Sequence, residues 1–146
     1  MSLLTYFALP KKLTQPSHDY INFYINDVLS CRPNFITSRC FENKFIYSLE
    51  SRLDYCPYKI REIEYNGNFG FESLSRVSLR NRGSLEFLIR YNLNSGEFLE
   101  IYSIWWGHGV PDELPTPEYT IVMHIDDLQE SRNFVLDDGY KFIIHR

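Results

Sequence analysis

Leu85-Glu86-Phe87-Leu88-Ile89-Arg90-Tyr91-Asn92-Leu93 is the stretch on which a reading of the fold turns. Leu85, Phe87, Ile89, Tyr91 and Leu93 alternate without a fault. Such alternation marks a strand with one buried face. Asn81-Arg82-Gly83-Ser84 before it has the composition of a turn, and so has Asn94-Ser95-Gly96 after it. The second turn leads into another expected strand, Phe98–Trp106.

Working outward, the period of two extends in both directions. Residues 58–60 and 63–65 have strand chemistry, with a parity break at Arg61-Glu62 that suits a bulge. Asn66-Gly67 is a strong hairpin signal. Phe69-Gly70-Phe71 and Val77-Ser78-Leu79 continue the pattern less regularly. Toward the C-terminus, Tyr119, Ile121, Met123 and Ile125 form one strand face, and Tyr140, Phe142 and Ile144 form the last. Asp127-Leu128-Gln129-Glu130 has the form of an acid-capped helix start. Residues 1–10 read as a first strand and not as a signal peptide, because Lys11 and Lys12 follow the apolar part instead of preceding it.

The first half reads differently. Tyr20/Ile21, Tyr24/Ile25 and Val28/Leu29 recur every four residues behind a possible cap at Ser17, which predicts a helix ended by Pro33. Phe41, Phe45, Leu49 and Leu53 predict a second helix, starting near Thr37 or Ser38 and closed by Pro57. Short turns between later strands favour antiparallel pairing. The expectation is an α+β domain spanning 1–146, with two N-terminal helices packed on one face of a curved, mainly antiparallel sheet.

The chain has 146 residues, 44% of them hydrophobic and 16% aromatic, enough for one packed core. No apolar run reaches membrane-spanning length, so no membrane association is expected. Cys31, Cys40 and Cys56 are an odd set at irregular spacings, a poor disulfide framework that fits a reducing cytoplasm.

The net charge of −4 hides an asymmetry. Residues 97–138 contain ten acids against the single base Arg132, a formal −9, while residues 1–96 carry an excess of three bases. Trp105 and Trp106, the only tryptophans, lie inside the acidic part. An acidic surface suits a basic partner, because complementary fields speed encounter and disfavour wrong partners.

Catalytic and metal chemistry find less support. His108, between Gly107 and Gly109, has room to act as a general base, yet a Gly-His-Gly sequence also simply ends a strand. His124 falls opposite the apolar face of its strand, and His145 is peripheral. There is no HxH, HExxH or CxxC spacing, so no metal and no cofactor is expected. The cysteines lack a His placed nearby in sequence. Gly67-Asn68-Phe69-Gly70 lacks the Lys and the helix of a phosphate loop. Arg76, Arg80, Arg82 and Arg90 with Phe87 and Tyr91 resemble a nucleic-acid patch in composition, but a solvated hairpin tip explains them as well, and the overall charge opposes nucleic-acid binding.

The segment after the tryptophans is more specific. Adjacent residues on a strand point to opposite faces, so one tryptophan is expected outside the main core. Leu99, Ile101 and Trp105 form the more apolar set, which assigns Trp105 to the core and Trp106, with Glu100 and Tyr102, to the outer face. Val110-Pro111-Asp112-Glu113-Leu114-Pro115-Thr116-Pro117-Glu118 is a stiff acidic loop. A rigid acidic loop beside an exposed aromatic has the makings of a binding hot spot. The expected partner-binding residues are Glu97, Glu100, Tyr102, Trp106, His108, Asp112, Glu113, Glu118, Asp126 and Asp127.

In general character the chain resembles bacterial immunity proteins that neutralise toxin domains of contact-dependent growth inhibition and other polymorphic toxin systems. It is small, acidic, aromatic-rich and without an evident active site. The resemblance covers the whole chain and involves no family motif, so it carries over no site residue. It implies a tight complex in which an acidic surface covers the basic cleft of a toxin, often a nuclease, and a monomer is expected before that complex forms. Two other readings share some of these features. One is a small enzyme or ligand binder with a pocket near His108, His124 and Tyr102. The other is an inhibitor that mimics nucleic acid.

Overall fold

Phe98–Trp106, the longest strand described, is hydrogen-bonded on both sides and buried over most of its length on both faces. That burial organises the molecule. The computed structural model describes residues 2–13, 23–28, 40–51, 63–66, 71–74, 76–107, 109, 111–131, 133–134 and 136–146. In chain order the elements are β1 (Ser2–Leu9), β2 (Phe23–Asp27), β3 (Phe45–Ser51), β4 (Ile63–Asn66), β5 (Phe71–Leu74), α1 (Arg76–Asn92), β6 (Phe98–Trp106), β7 (Tyr119–His124) and β8 (Tyr140–His145). Six strands form one sheet in the order β2-β3-β1-β6-β8-β7, and β4 pairs with β5 in a separate hairpin. All pairings are antiparallel except β7 with β8. The described residues between β7 and β8 belong to the long crossover that a parallel pair requires. The fold is α+β, as expected. No helix among the described residues is long and apolar enough to cross a membrane.

The two expected N-terminal helices are not borne out. Phe23–Asp27 and Phe45–Ser51 are strands, paired with each other in antiparallel register. The cause is a degeneracy of spacing. A repeat of four is close to one helical turn, but it is also an even number, so the same residues share one face of a strand. Ile25 and Leu49 lie opposite each other in the first core, while Ile46 faces the second. Val28 and residues 40–44 are described as well, residues 40–44 without helical structure, and the rest of both expected helices lies outside the described residues.

The converse error falls on residues 76–93. Instead of a strand, a turn and a second strand, they form α1 and its end. Leu85 and Ile89 are four apart and satisfy both periods. Leu88 and Phe87 discriminate: Leu88 is buried and Phe87 is exposed, as a helix demands. Asn81, Arg82, Leu85, Leu88, Ile89 and Asn92 make the inward stripe, and Arg80, Phe87, Arg90 and Tyr91 face outward. Phe87 and Tyr91 stack at 5.9 Å on the outer face, and Glu86 pairs with Arg90 one turn on. The supposed arginine hairpin is therefore one helix. Arg82 points inward to the carbonyls of Leu128, Ser131 and Phe134, so it is no part of a basic surface.

The sheet has a core on each face. One contains Phe7, Leu9, Tyr47, Leu49, Leu99, Ile101, Phe142 and Ile144, covered by Leu85, Leu88 and Ile89 of α1 and by Leu128, Phe134 and Leu136 of the crossover. The other contains Tyr6, Ala8, Ile46, Tyr102 and Ile104, covered by Cys40, Phe41 and Leu114. Asp127-Leu128-Gln129-Glu130 does not start a helix; a 3-10 turn at Ile125–Asp127 stands there instead.

Candidate interaction surface

Trp105 and Trp106 end β6, and the second core decides their roles. Trp106 follows Tyr102 and Ile104 on one face and is half-buried against that core. Trp105 follows Leu99 and Ile101 on the other face, but it lies beyond the end of the first core and is 40% exposed. The expected assignment is thus reversed. Being on the core face of a strand does not bury a residue that overshoots the core.

Trp105 is exposed but held. Its backbone amide donates to Asp138 Oδ1 at 2.8 Å, and its indole Nε1 donates to Asp137 Oδ1 at 3.1 Å. Asp137 Oδ1 also accepts from the amide of Asp138, at 2.8 Å. The two aspartates belong to a tight turn ending at Gly139, whose φ of +75° favours glycine. A Cβ on Gly139 would also stand 3.2 Å from the Glu118 side chain. Gly139 donates to the carbonyl of Ser103 and accepts from the amides of Glu118 and Tyr119, tying β6, the turn and the start of β7 together. Tyr119 is exposed and stacks on Tyr140 at 4.8 Å. Trp105, Tyr119 and Tyr140 share one face of the sheet, bordered by the exposed carboxylates of Glu118, Asp137 and Asp138.

The expected site residues do not all gather here. Glu100 is fully buried and Tyr102 is 1% exposed, so neither belongs to an outer face. Glu100 Oε1 lies 2.8 Å from Lys141 Nζ, and its carboxylate accepts from the amides of Glu42 and Asn43. Tyr102 donates its hydroxyl to the carbonyl of Pro115 at 2.9 Å. Burial, with negative charge at Cys40, Asp138 and Glu118, holds that phenol well above the ordinary range. The expected loop at 111–118 is anchored by Leu114 in the second core, with Asp112 and Glu113 on its exposed side. Glu97, Asp126 and Asp127 sit at the opposite end of the sheet. There Glu97 lies 3.5 Å from Lys11, and Asp126 pairs with Arg90 at 2.9 Å. From Tyr119 to His124, β7 spans roughly 17 Å. That exceeds the screening length of about 8 Å at physiological salt, so the acidic stretch makes two separate patches, not one field. His108 lies outside the described residues.

Among the described residues, two of those expected to line a pocket stand apart. His124 and Tyr102 are separated by roughly 13 Å along the strands, with β8 between them, so they do not converge. His124 Nδ1 accepts from the amide of Asp126 and stands 3.3 Å from its carboxylate. Burial raises the Cys40 thiol pKa, the reverse of an activated nucleophile. Among the described residues, no group of three or more His, Cys, Asp and Glu is placed to hold a metal ion. What the Trp105 end can do is bind. It offers a fixed indole face beside carboxylates, which suits a guanidinium or ammonium group.

Asp137 and Asp138 enter the sequence only as two of the ten acids of residues 97–138, with nothing local to join them to Trp105. Asp138-Gly139 is a turn dipeptide before the last strand, the signal by which both aspartates could have been placed at a strand end. No family model matches the chain, and no curated protein or solved structure matches it at a significant level.

Proposed function

We propose that this chain is a binding protein that neutralises a basic partner, acting in the cytoplasm as an immunity protein that covers the active site of a cognate toxin domain. The observation that supports this reading best is the exposed Trp105, held through its amide and its indole by Asp138 and Asp137. A large aromatic held in place gives up little entropy on binding, and adjacent carboxylates select a cationic surface. The toxin cleft that the patch would cover is basic wherever its substrate is a nucleic acid. Trp105 takes the role expected of Trp106, and Glu118, Asp137 and Asp138 form its acidic border.

The test is co-expression with the product of the adjacent gene in a host which that product kills. Rescue is expected from the wild-type chain. It should be lost when Asp137 and Asp138 are both changed to Lys, and kept when Asp126 and Asp127 are. Absence of rescue by the wild type, or rescue indifferent to the first pair, would refute the reading.

A further inference from the structure

We propose that the outer edge of β7 accepts an extended strand of another protein whose ends are basic, adding it to the sheet beyond β7. This goes beyond the neutralisation reading and holds whatever the activity of the partner.

β7 is the terminal strand of the six-stranded sheet, and among the described residues no strand pairs with its outer side. The amide of Tyr119 donates to Gly139, toward β8. By alternation, Ile121 and Met123 also turn their backbone groups to β8, while Thr120 and Val122 turn theirs outward. Open edges of this kind are usually blunted by Lys, Pro, a bulge or a covering segment. Tyr119-Thr120-Ile121-Val122-Met123-His124 contains no Lys, Arg or Pro. Val122 is 61% exposed. The strand is nevertheless well fixed, since Ile121 and Met123 pack against the first core. An ordered strand with outward amides and carbonyls is the template for strand addition.

Charge selects the occupant. Glu118 precedes the strand, and Asp126 and Asp127 follow it. A second copy along the same edge would set Glu118 against Asp126 and Asp127 in the antiparallel sense, and like against like in the parallel sense. Both arrangements bring carboxylates together, so self-pairing is disfavoured. Arg90 already pairs with Asp126, which leaves Glu118 and Asp127 to choose a strand with Lys or Arg at its ends.

The probe is a fluorescein-labelled peptide, Lys-Lys-Val-Thr-Val-Thr-Val-Lys-Lys, titrated against the full chain and read by anisotropy. Saturable binding is expected, weakened about tenfold or more when the flanking Lys residues become Glu. Val122→Pro should weaken it about tenfold while leaving the circular dichroism and melting curve unchanged, because the Val122 amide faces away from β8. If that variant does not fold, a probe N-methylated at alternate amides, tested on wild type, should show the same loss. Trp105→Ala should bind the probe normally, which separates the edge from the Trp105 indole, while Glu118 borders both. Lack of saturable binding, equal affinity for the Glu-flanked probe, or indifference to both Val122→Pro and N-methylation would overturn the proposal. So would a concentration-dependent dimer abolished by Val122→Pro, which would make the occupant a second copy.

Discussion

Glu100 and Lys141 form an ion pair sealed between the sheet and the Cys40–Phe41 segment, with 2.8 Å between Oε1 and Nζ. They are diagonal neighbours on adjacent strands, since Glu100 pairs with Ile143 and Lys141 with Tyr102. Each is satisfied further: Glu100 by the amides of Glu42 and Asn43, Lys141 by the carbonyl of Cys40 and the face of Phe41 at 5.8 Å. Two charges are thus solvated by protein instead of water, and they fasten residues 40–43 over the second core.

Breaking this pair from one side should be severe. Glu100→Ala or Lys141→Ala leaves a buried charge without its counterion, and each should cost about 3–5 kcal/mol. Replacing both by apolar residues of similar volume, Glu100→Leu with Lys141→Met, should be milder than the sum of the single changes. Denaturant melts of the four proteins check this. Additive losses would mean the pair is not a unit.

The tryptophans should separate stability from binding. Trp106→Ala removes a half-buried ring from the second core and should cost about 2 kcal/mol, below the 3–5 of a fully buried aromatic. Trp105→Ala should change stability by about 1 kcal/mol or less. It should weaken binding of a cognate partner by about 2 kcal/mol if the indole is a hot spot. Urea melts decide the first part before any partner is known, and a larger loss from Trp105→Ala would reverse the assignment.

Arg82 is expected to be structural. Its guanidinium caps the carbonyls of Leu128, Ser131 and Phe134 and lies 5.5 Å from the Phe134 ring. Arg82→Ala orphans these buried carbonyls and should cost about 3 kcal/mol or more. Arg82→Lys should recover little, because a single ammonium cannot reproduce the planar fork. Full recovery of the melting midpoint by Lys would show that charge alone matters there.

Alkaline pH should destabilise the fold. Burial raises the pKa of Tyr102, Tyr47 and the Cys40 thiol in the folded state. Above the ordinary thiol and phenol values of about 8.5 and 10, the unfolded chain has released protons that the folded chain keeps. The stabilisation is therefore complete below those values and is lost as pH rises through the folded ones. Tyr102→Phe should cost about 1 kcal/mol at neutral pH for its lost hydrogen bond. It should also make the alkaline decline shallower. Urea melts across pH 7 to roughly 11 test this, and an unchanged slope would remove Tyr102 from the effect.

Some of this was legible from residue order alone. β7 and β8 stand where alternation put them, β6 follows the turn expected at Asn94-Ser95-Gly96, and β1 is the strand expected in residues 1–10. The charge asymmetry follows equally from composition. Tertiary structure decided the rest. A repeat of four in residues 21–29 and 41–53 belongs to both helix and strand, and an apolar set at 85–89 that includes Leu88 fits both as well. Only the partner surface selects between them: a neighbouring strand for Phe45–Ser51, a sheet face for α1. Which tryptophan is exposed, and which acids meet at one end of β7, depend on where each core stops and how the strands are ordered. Those are properties of contacts between residues distant in sequence, and no local pattern encodes them.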